Sequence, residues 1–485
     1  MTDRYDTVIV GGGHNALTAA AYLARAGKRV LLLERLDVLG GAAISAPAFH
    51  GVDARLSRYS YLVSLLPRRI IDDLGLSVQL VRRKYASYTP DPSTGGLSGF
   101  LARPDDFAEF GALCASVTEP VWDSMLGPLP TRRQLRTGAW SELIETPIGE
   151  VIRAATPDDL QRGVLLTDAL IGTFAGADDP SLQQNICFLY HQMNPWDVPI
   201  GGMGAVTGSL ESAARRHGAE LRTGAEVLTV SPDGEVRYRI GDDEHIAIGE
   251  HVLSGVTPAV LAQLLGQNPP EGQPGAQVKV NLLLRRLPRL RDEKVTPEQA
   301  FGGTFHINET YTQLDNAYRQ ALAGSIPDPL PCEIYCHSLA DPSILSPELR
   351  ASGAQTLTVF GLHTPHGLTA TREELQAAVL ASLNSVLAEP ITDVVATDSQ
   401  GNPCIETKTT DDLEQALGMT AGNIFHGGLH WPFAEDDEPL DTPARRWGVA
   451  TDHDRILLCG SGSRRGGGVS GLGGYHAAMA VLGAN

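Results

Sequence analysis

The chain of 485 residues contains no Cys-x-x-Cys pair, no excess of basic charge and no long apolar run. Each absence removes a class of function. The six cysteines, Cys114, Cys187, Cys332, Cys336, Cys404 and Cys459, are dispersed. Cys332 and Cys336 fall in an expected strand over 331–338, where a four-residue offset spans roughly 13 Å, too far for a disulfide. Reduced cysteines in a cytoplasmic protein are therefore expected, and dithiol redox chemistry is not. No stretch approaches the ~18 apolar residues of a transmembrane helix. An expected strand follows a few polar residues after Met1, so no signal peptide is expected. The formal net charge of −19 repels nucleic acid and anionic headgroups. It argues against a polybasic membrane patch but leaves open a peripheral apolar contact with membrane.

What is abundant is glycine. The 52 glycines gather in short clusters, the pattern of binding loops that expose backbone. Hydrophobic residues at 42% supply sizeable cores, and the length predicts about two to four domains or two interleaved ones. Residues 7–10 form a short apolar run typical of a buried parallel strand. Gly11, Gly12 and Gly13 break it, 16–26 reads as an alanine-rich helix, and 29–33 is a second buried strand ending at Glu34.

In this setting Gly11-Gly12-Gly13-His14-Asn15-Ala16 fits the dinucleotide fingerprint G-x-G-x-x-[G/A]. Gly11 permits the tight turn, Gly13 lets a pyrophosphate approach, and Ala16 is small enough for close helix–strand packing. The helix start offers free N–H groups and a positive dipole end to phosphate. Glu34 suits a ribose 2′-OH and would repel a 2′-phosphate. Arg35 and Leu39-Gly40-Gly41-Ala42 follow closely. A second backbone-exposing loop is superfluous for NAD and useful for the longer flavin nucleotide. Near the other end, 455–459 reads as a strand. It is followed by Gly460-Ser461-Gly462, then Gly466 to Gly474 around Val469 and Ser470, then a helix over 475–482. This strand, glycine loop and helix start suit a phosphate or the polar edge of a flavin.

Between these ends, 104–190 is mostly helical in pattern. A glycine turn at 201 leads to a helix over 205–217. Strands are expected over 221–230 and 236–240, around a Pro232-Asp233-Gly234 turn. Residues 252–265 read as strand, turn and helix. Strands are also expected over 278–284, 333–337 and 356–360, and an amphipathic helix over 373–387. The segment 434–446 is acidic and reads as an exposed loop.

Residues 6–43 resemble the N-terminus of phytoene-desaturase-like flavoproteins. They resemble most the branch of the monodomain carotenoid ketolases and the mitochondrial pyridine nucleotide-disulphide oxidoreductase domain-containing protein. The elements carrying the resemblance are Gly-His-Asn at 13–15, Gly-Gly-Ala at 40–42, Ile200 to Ala205, Gly422 to Gly427 and Leu458 to Gly462. Ser463-Arg464-Arg465 departs from the Thr-His-Pro that desaturases often carry there.

The resemblance implies an α/β (α+β) fold. A Rossmann-type FAD-binding domain of the p-hydroxybenzoate hydroxylase/amine oxidase type would carry an inserted mixed-sheet and helical substrate domain. Residues 1–66, 201–270 and 405–485 would form the first domain, and 67–200 with 271–404 the second. FAD would be held non-covalently by Gly11, Gly13, His14, Asn15, Ala16, Glu34, Arg35, Gly40, Gly41 and Ala42. Val227 would meet adenine, and Gly460, Ser461, Gly468, Val469 and Ser470 would lie by the ring. No metal is expected.

Flavin chemistry is largely the cofactor's own, with the protein orienting a substrate C–H and supplying a base. His426 and Tyr61 are the candidate catalytic residues, Tyr61 with the alternative of a packed strand. His430 is a further candidate base, and Arg464 and Arg465 are candidates for holding an anion. His363 and His366 read as loop residues. Three functions are consistent with this: an FAD-dependent dehydrogenase or desaturase of an apolar or partly apolar small molecule, an FAD oxidase or monooxygenase/ketolase of an amine or carotenoid, and a flavin-stabilised regulator that contacts a protein through the acidic 435–438 loop. The oligomeric state has no signature in the sequence.

Overall fold

The structure, a computed structural model, describes residues 3–483. Two seven-stranded sheets organise it. In the first, Asp3–Val10 lies between Val30–Leu33 and Asp243–Ser254, parallel to both. Glu220–Arg222 extends the sheet beyond Val30–Leu33. Val252, Leu253 and Ser254 pair in parallel with Ile456–Leu458, so the last strand sits one place from the first. An antiparallel meander, Ala225–Val230 and Glu235–Ile240, completes the sheet.

Side-chain alternation gives this sheet two buried faces. Ile9, Leu32, Leu253 and Leu457 pack under helices; Val8, Val10, Leu31, Leu33 and Val252 pack on the other side. The helices are His14–Arg25, Met203–Arg216 and Leu472–Leu482. The first of these lies against both others, and its alanines allow that approach. Gly474 takes it further: a Cβ there would meet the Asn15 carbonyl oxygen at 1.8 Å.

The second sheet runs Ile405–Lys408, Gln277–Leu284, Gln355–Leu362, Cys332–Tyr335, Thr304–Ile307, Ser87–Pro90 and Gly99–Ala102. One face packs on the helix Arg372–Val386 through Val280, Leu282, Ile334 and Val359. The other meets the helical stretch between 108 and 192 through Tyr335, Phe360 and Leu362. Among the described residues no helix is long and apolar enough to cross a membrane.

Three local expectations are corrected. The strand expected over 221–230 is two strands. Gly224, with φ 62°, turns the chain between Glu220–Arg222 on one edge of the sheet and Ala225–Val230 on the other. The strand expected to reach Ser338 ends at Tyr335, and Cys336 begins a helical turn. The boundary at 405 falls one strand early, because Ile405–Lys408 hydrogen-bonds to Gln277–Leu284 in the second sheet. In the acidic 435–438 loop, Glu435 pairs with Arg132 and Glu438 with Arg464, each at 2.8 Å.

A pair of substitutions tests the helix contact. Gly208 lies in Met203–Arg216, and a Cβ there meets nothing within 4 Å. Gly208→Ala should stabilise by roughly 0.5–1 kcal/mol through helix propensity. Gly474→Ala enjoys the same propensity gain but drives a methyl into backbone, and should cost about 1–3 kcal/mol net. Thermal denaturation of the two variants should move Tm in opposite directions.

Candidate functional site

A cavity of about 440 Å³ runs from the first glycine turn to the inner face of the second sheet, within the ~300–1,000 Å³ of small-molecule sites. Gly11 leaves its strand with φ 93°, a left-handed conformation that favours glycine. The Gly12 N–H donates to Glu34 Oε2 at 2.7 Å and the Leu36 N–H to Oε1 at 2.9 Å. The Glu34 carboxylate therefore shapes the turn and keeps lone pairs for another donor. Gly13 precedes the helix, which has no side-chain cap, and a Cβ on Gly13 would enter open space. Uncapped N–H groups and the dipole's positive end thus stand at the cavity wall. A phosphate-bearing cofactor fits this cradle.

Gly11, Gly13, His14, Asn15, Ala16, Glu34, Arg35, Gly41 and Ala42 all line the cavity. Val227 reaches it from a strand whose register slips between Val227 and Thr229. Gly460, Ser461, Gly468 and Val469 line it from the C-terminal loop, and His426 and Tyr61 do so from opposite segments. Two expected members do not border it. The Gly40 N–H donates to the Gly12 carbonyl at 2.8 Å, so Gly40 holds one loop against the other. Ser470 is buried, and its Oγ accepts the Leu472 N–H at 3.2 Å at the start of the last helix.

The side chains of His14 and Asn15 serve a purpose the motif did not suggest. His14 Nε2 lies 2.9 Å from the Gly468 carbonyl oxygen, and Asn15 Nδ2 donates to that of Gly466 at 2.9 Å. They tie the last glycine loop to the first helix. Burial lowers His14 to about 4, against which its bond to Gly468 works, so this imidazole is neutral at pH 7. The two arginines of the departing segment are also structural. Arg464 bonds Glu438 and the Phe433 carbonyl. Arg465 is 1% exposed and donates to the carbonyl of Ser124, the last residue of the helix Ala108–Ser124, and to that of Gly127 just beyond it. Neither lines the cavity.

His426 sits in a left-handed turn at φ 64°, its Nδ1 buried without a partner. Burial and then His14 lower it to about 4, leaving a neutral, weakly basic imidazole. Tyr61 lies in no strand. Its ring packs 4.8 Å from both Tyr335 and Phe360 and lies within 8° of parallel to Trp196 at 6.4 Å. His430 is exposed, and His363 is buried in a positive-φ loop outside the cavity lining.

The remaining wall was not read from sequence. Tyr190, His191, Trp196 and Phe360 form an aromatic end, and Val256, Val260, Leu264, Leu413, Leu417 and Met419 an aliphatic one. Behind Phe360, Lys279 is buried, donating to the Ser57 carbonyl at 2.8 Å with its ammonium 5.4 Å from the Phe360 ring centre. Burial lowers it to about 7. A lysine inside the apolar run Val278 to Leu284 was the one available signal.

The His14 and Asn15 ties yield a prediction. Asn15→Leu keeps the volume but leaves the buried Gly466 carbonyl without its donor, at a cost of about 1–3 kcal/mol. Amide hydrogen exchange over 460–471 of the cofactor-free protein should accelerate, and that of the second sheet should stay unchanged.

Residues 9–67 match the model of the NAD(P)-binding Rossmann-like domain. An uncharacterized protein of Mycobacterium tuberculosis is 60% identical over 518 residues, covering 99% of this chain and 97% of its own length. Pyridine nucleotide-disulfide oxidoreductase domain-containing protein 2 of Rattus norvegicus is 28% identical over 564 residues, covering 99% and 94%. Phytoene dehydrogenase of Streptomyces griseus is 26% identical over 351 residues, covering 62% and 64%. A solved putrescine oxidase superposes with a TM-score of 0.59 at 16% identity over 100% of both chains, a likeness of fold. The chain belongs to the family of its mycobacterial relative, carries a Rossmann-like nucleotide-binding domain, and has the rat protein and phytoene dehydrogenase among its homologues.

Proposed function

We propose that the chain binds FAD non-covalently and oxidises a C–H bond of an apolar or partly apolar small molecule. The observation that carries this is the continuity of one cavity from the Gly13 cradle to an aromatic end. In this reading Gly11 to Ala16 hold the pyrophosphate, Glu34 a ribose and the Val227 backbone the adenine. Gly460, Ser461, Gly468 and Val469 meet the ring, Arg35, Gly41 and Ala42 the adjoining nucleotide. Residues 1–66, 201–270 and most of 405–485 hold the cofactor, and 67–200 with 271–404 the substrate.

The bound flavin supplies a hydride acceptor at N5. The chain's own residues do the rest. Tyr61, Trp196 and Phe360 present flat apolar surfaces that orient a substrate and displace water, which strengthens electrostatic effects inside. His426, neutral down to about pH 4, accepts a hydrogen bond without carrying charge into the site. A second reading, an FAD oxidase of an amine, draws on the near-parallel Tyr61 and Trp196 rings, whose faces favour a cation. Fast reaction of the reduced protein with oxygen would favour it.

The test is an absorbance spectrum of the purified protein, followed by anaerobic titration with a cell lipid and metabolite extract. Bound FAD that bleaches with extract is expected; absence of FAD even after reconstitution overturns the proposal. Gly13→Val places a side chain in open space at a position with φ −70°, so the fold should be kept. FAD affinity should fall at least ~10-fold, since each 1.4 kcal/mol lost is tenfold; calorimetric titration of the apoprotein measures it.

A further inference from the structure

Behind the aromatic end of the cavity lies a group of carboxyls that hydride removal does not use. Alternation along Cys332–Tyr335 turns Cys332 and Ile334 into the core under the helix Arg372–Val386 and places Glu333 and Tyr335 together on the opposite face. The Tyr335 ring centre lies 4.8 Å from that of Tyr61, which lines the cavity; the two hydroxyls interact, and that of Tyr335 donates to Glu333 Oε1. The other Glu333 oxygen and both oxygens of Glu309 are buried without a partner. Glu309 is 1% exposed. A helix packs directly over its backbone, since a Cβ on Gly163 would overlap the Glu309 carbonyl at 1.8 Å.

Asp168, the third carboxyl, accepts the Gln192 amide at 2.7 Å. Arg83 is the cation set among these groups, 5.5 Å over the Tyr335 ring and bonded to Thr304 at 2.6 Å. The other titratable neighbours are Cys114, Cys187 and Cys332, their thiols pushed up by burial, and His306 and His337, held neutral by burial and nearby cations, His337 stacked 6.1 Å from the Tyr335 ring. Three carboxyls this close, only two of them beside the Arg83 guanidinium, cannot all ionise. Burial, then mutual repulsion, holds Glu309 well above the usual carboxyl range. Burial raises Asp168 to about 7 and Glu333 to about 8. Among the described residues no carboxyl cluster is arranged to hold a metal ion. Orphaned oxygens on groups that exchange protons near neutral pH suit proton storage.

We propose that Tyr61, Tyr335 and Glu333 form a proton relay between the cavity and this buried carboxyl group. The relay rests on reading the cavity as a flavin-dependent oxidising site. The substrate loses two electrons and one hydrogen as hydride to the isoalloxazine, the oxidant. Its remaining proton passes to the Tyr61 oxygen as the Tyr61 proton moves to Tyr335 and the Tyr335 proton to Glu333. Each tyrosine makes one O–H bond and breaks one, and Glu333, ionised as the pH reaches its value of about 8, ends as the neutral acid. The reverse transfer serves when electrons reach the flavin without hydride, because neutral Glu333 then returns its proton to the cavity.

The test uses the holoprotein at pH 7, photoreduced anaerobically with deazaflavin and oxalate, with visible and infrared difference spectra from one sample. Reduction should remove a buried carboxylic acid C=O band that shifts in deuterium oxide. The band change should vanish in Glu333→Gln and in the milder Tyr335→Phe and Tyr61→Phe, which keep ring packing and so cover a folding failure of the first. Flavin that bleaches with no carboxyl change, or a change that survives all three variants, overturns the relay alone. A sample that holds no flavin overturns the site reading and the relay together, and the visible spectrum distinguishes that case.

Discussion

The molecule depends on a seam between its two ends. His14 and Asn15 hydrogen-bond the carbonyls of Gly468 and Gly466, while Gly474 lets the last helix rest on the Asn15 backbone. Ile456–Leu458 joins the sheet through Val252 to Ser254, next to the strand that begins the fold. Each contact needs the others. Without the donors of His14 and Asn15, the carbonyls of Gly468 and Gly466 would lose their partners. The two glycine loops that wall the cavity are positioned by this seam, so cavity shape is a property of the chain's closure on itself.

Much of this was legible. The first βαβ unit reads directly because each residue type has a local cause: a turn at Gly11, an approach at Gly13, a small side chain at Ala16. The C-terminal strand, loop and helix read for the same reason. The roles of His14 and Asn15 did not, since a side chain aimed at a carbonyl some 450 positions away leaves no mark on its neighbours. The break at Gly224 was hidden because two strands on opposite edges of one sheet look like one long strand when only two residues part them. Gly40 and Ser470 lie in the two glycine loops without bordering the cavity, a distinction set by backbone direction. The aromatic and carboxyl residues behind the cavity were invisible for a different reason. Asp168, Glu309 and Glu333 are spaced like surface acids, and only tertiary packing removes them from water.

The two sides of the cavity's aromatic end differ in charge. Around Glu406 stand Arg58, Lys408 and, nearby, Lys279; around Arg83 stand Asp168 and Glu333, with Glu309 beside those two carboxyls. Burying such groups costs stability, and both clusters flank the rings of Tyr61 and Phe360. Lys279 and Glu333, with values near 7 and 8, change charge close to neutrality, so a small shift in their surroundings alters the field across the aromatic surface. Structural needs alone would have been met more cheaply by apolar residues of similar size.

The parallel pairing of Ile456–Leu458 with Val252 to Ser254 has a consequence for biosynthesis. A chain emerging from the ribosome at ~5–20 residues per second presents its first glycine turn long before the glycine loop that shares the cavity wall with it. For the whole interval the first helix carries an uncovered apolar face, the one that Tyr475, Ala477 and Ala478 later bury. The two glycine loops therefore face each other only once the last helix has packed on the first.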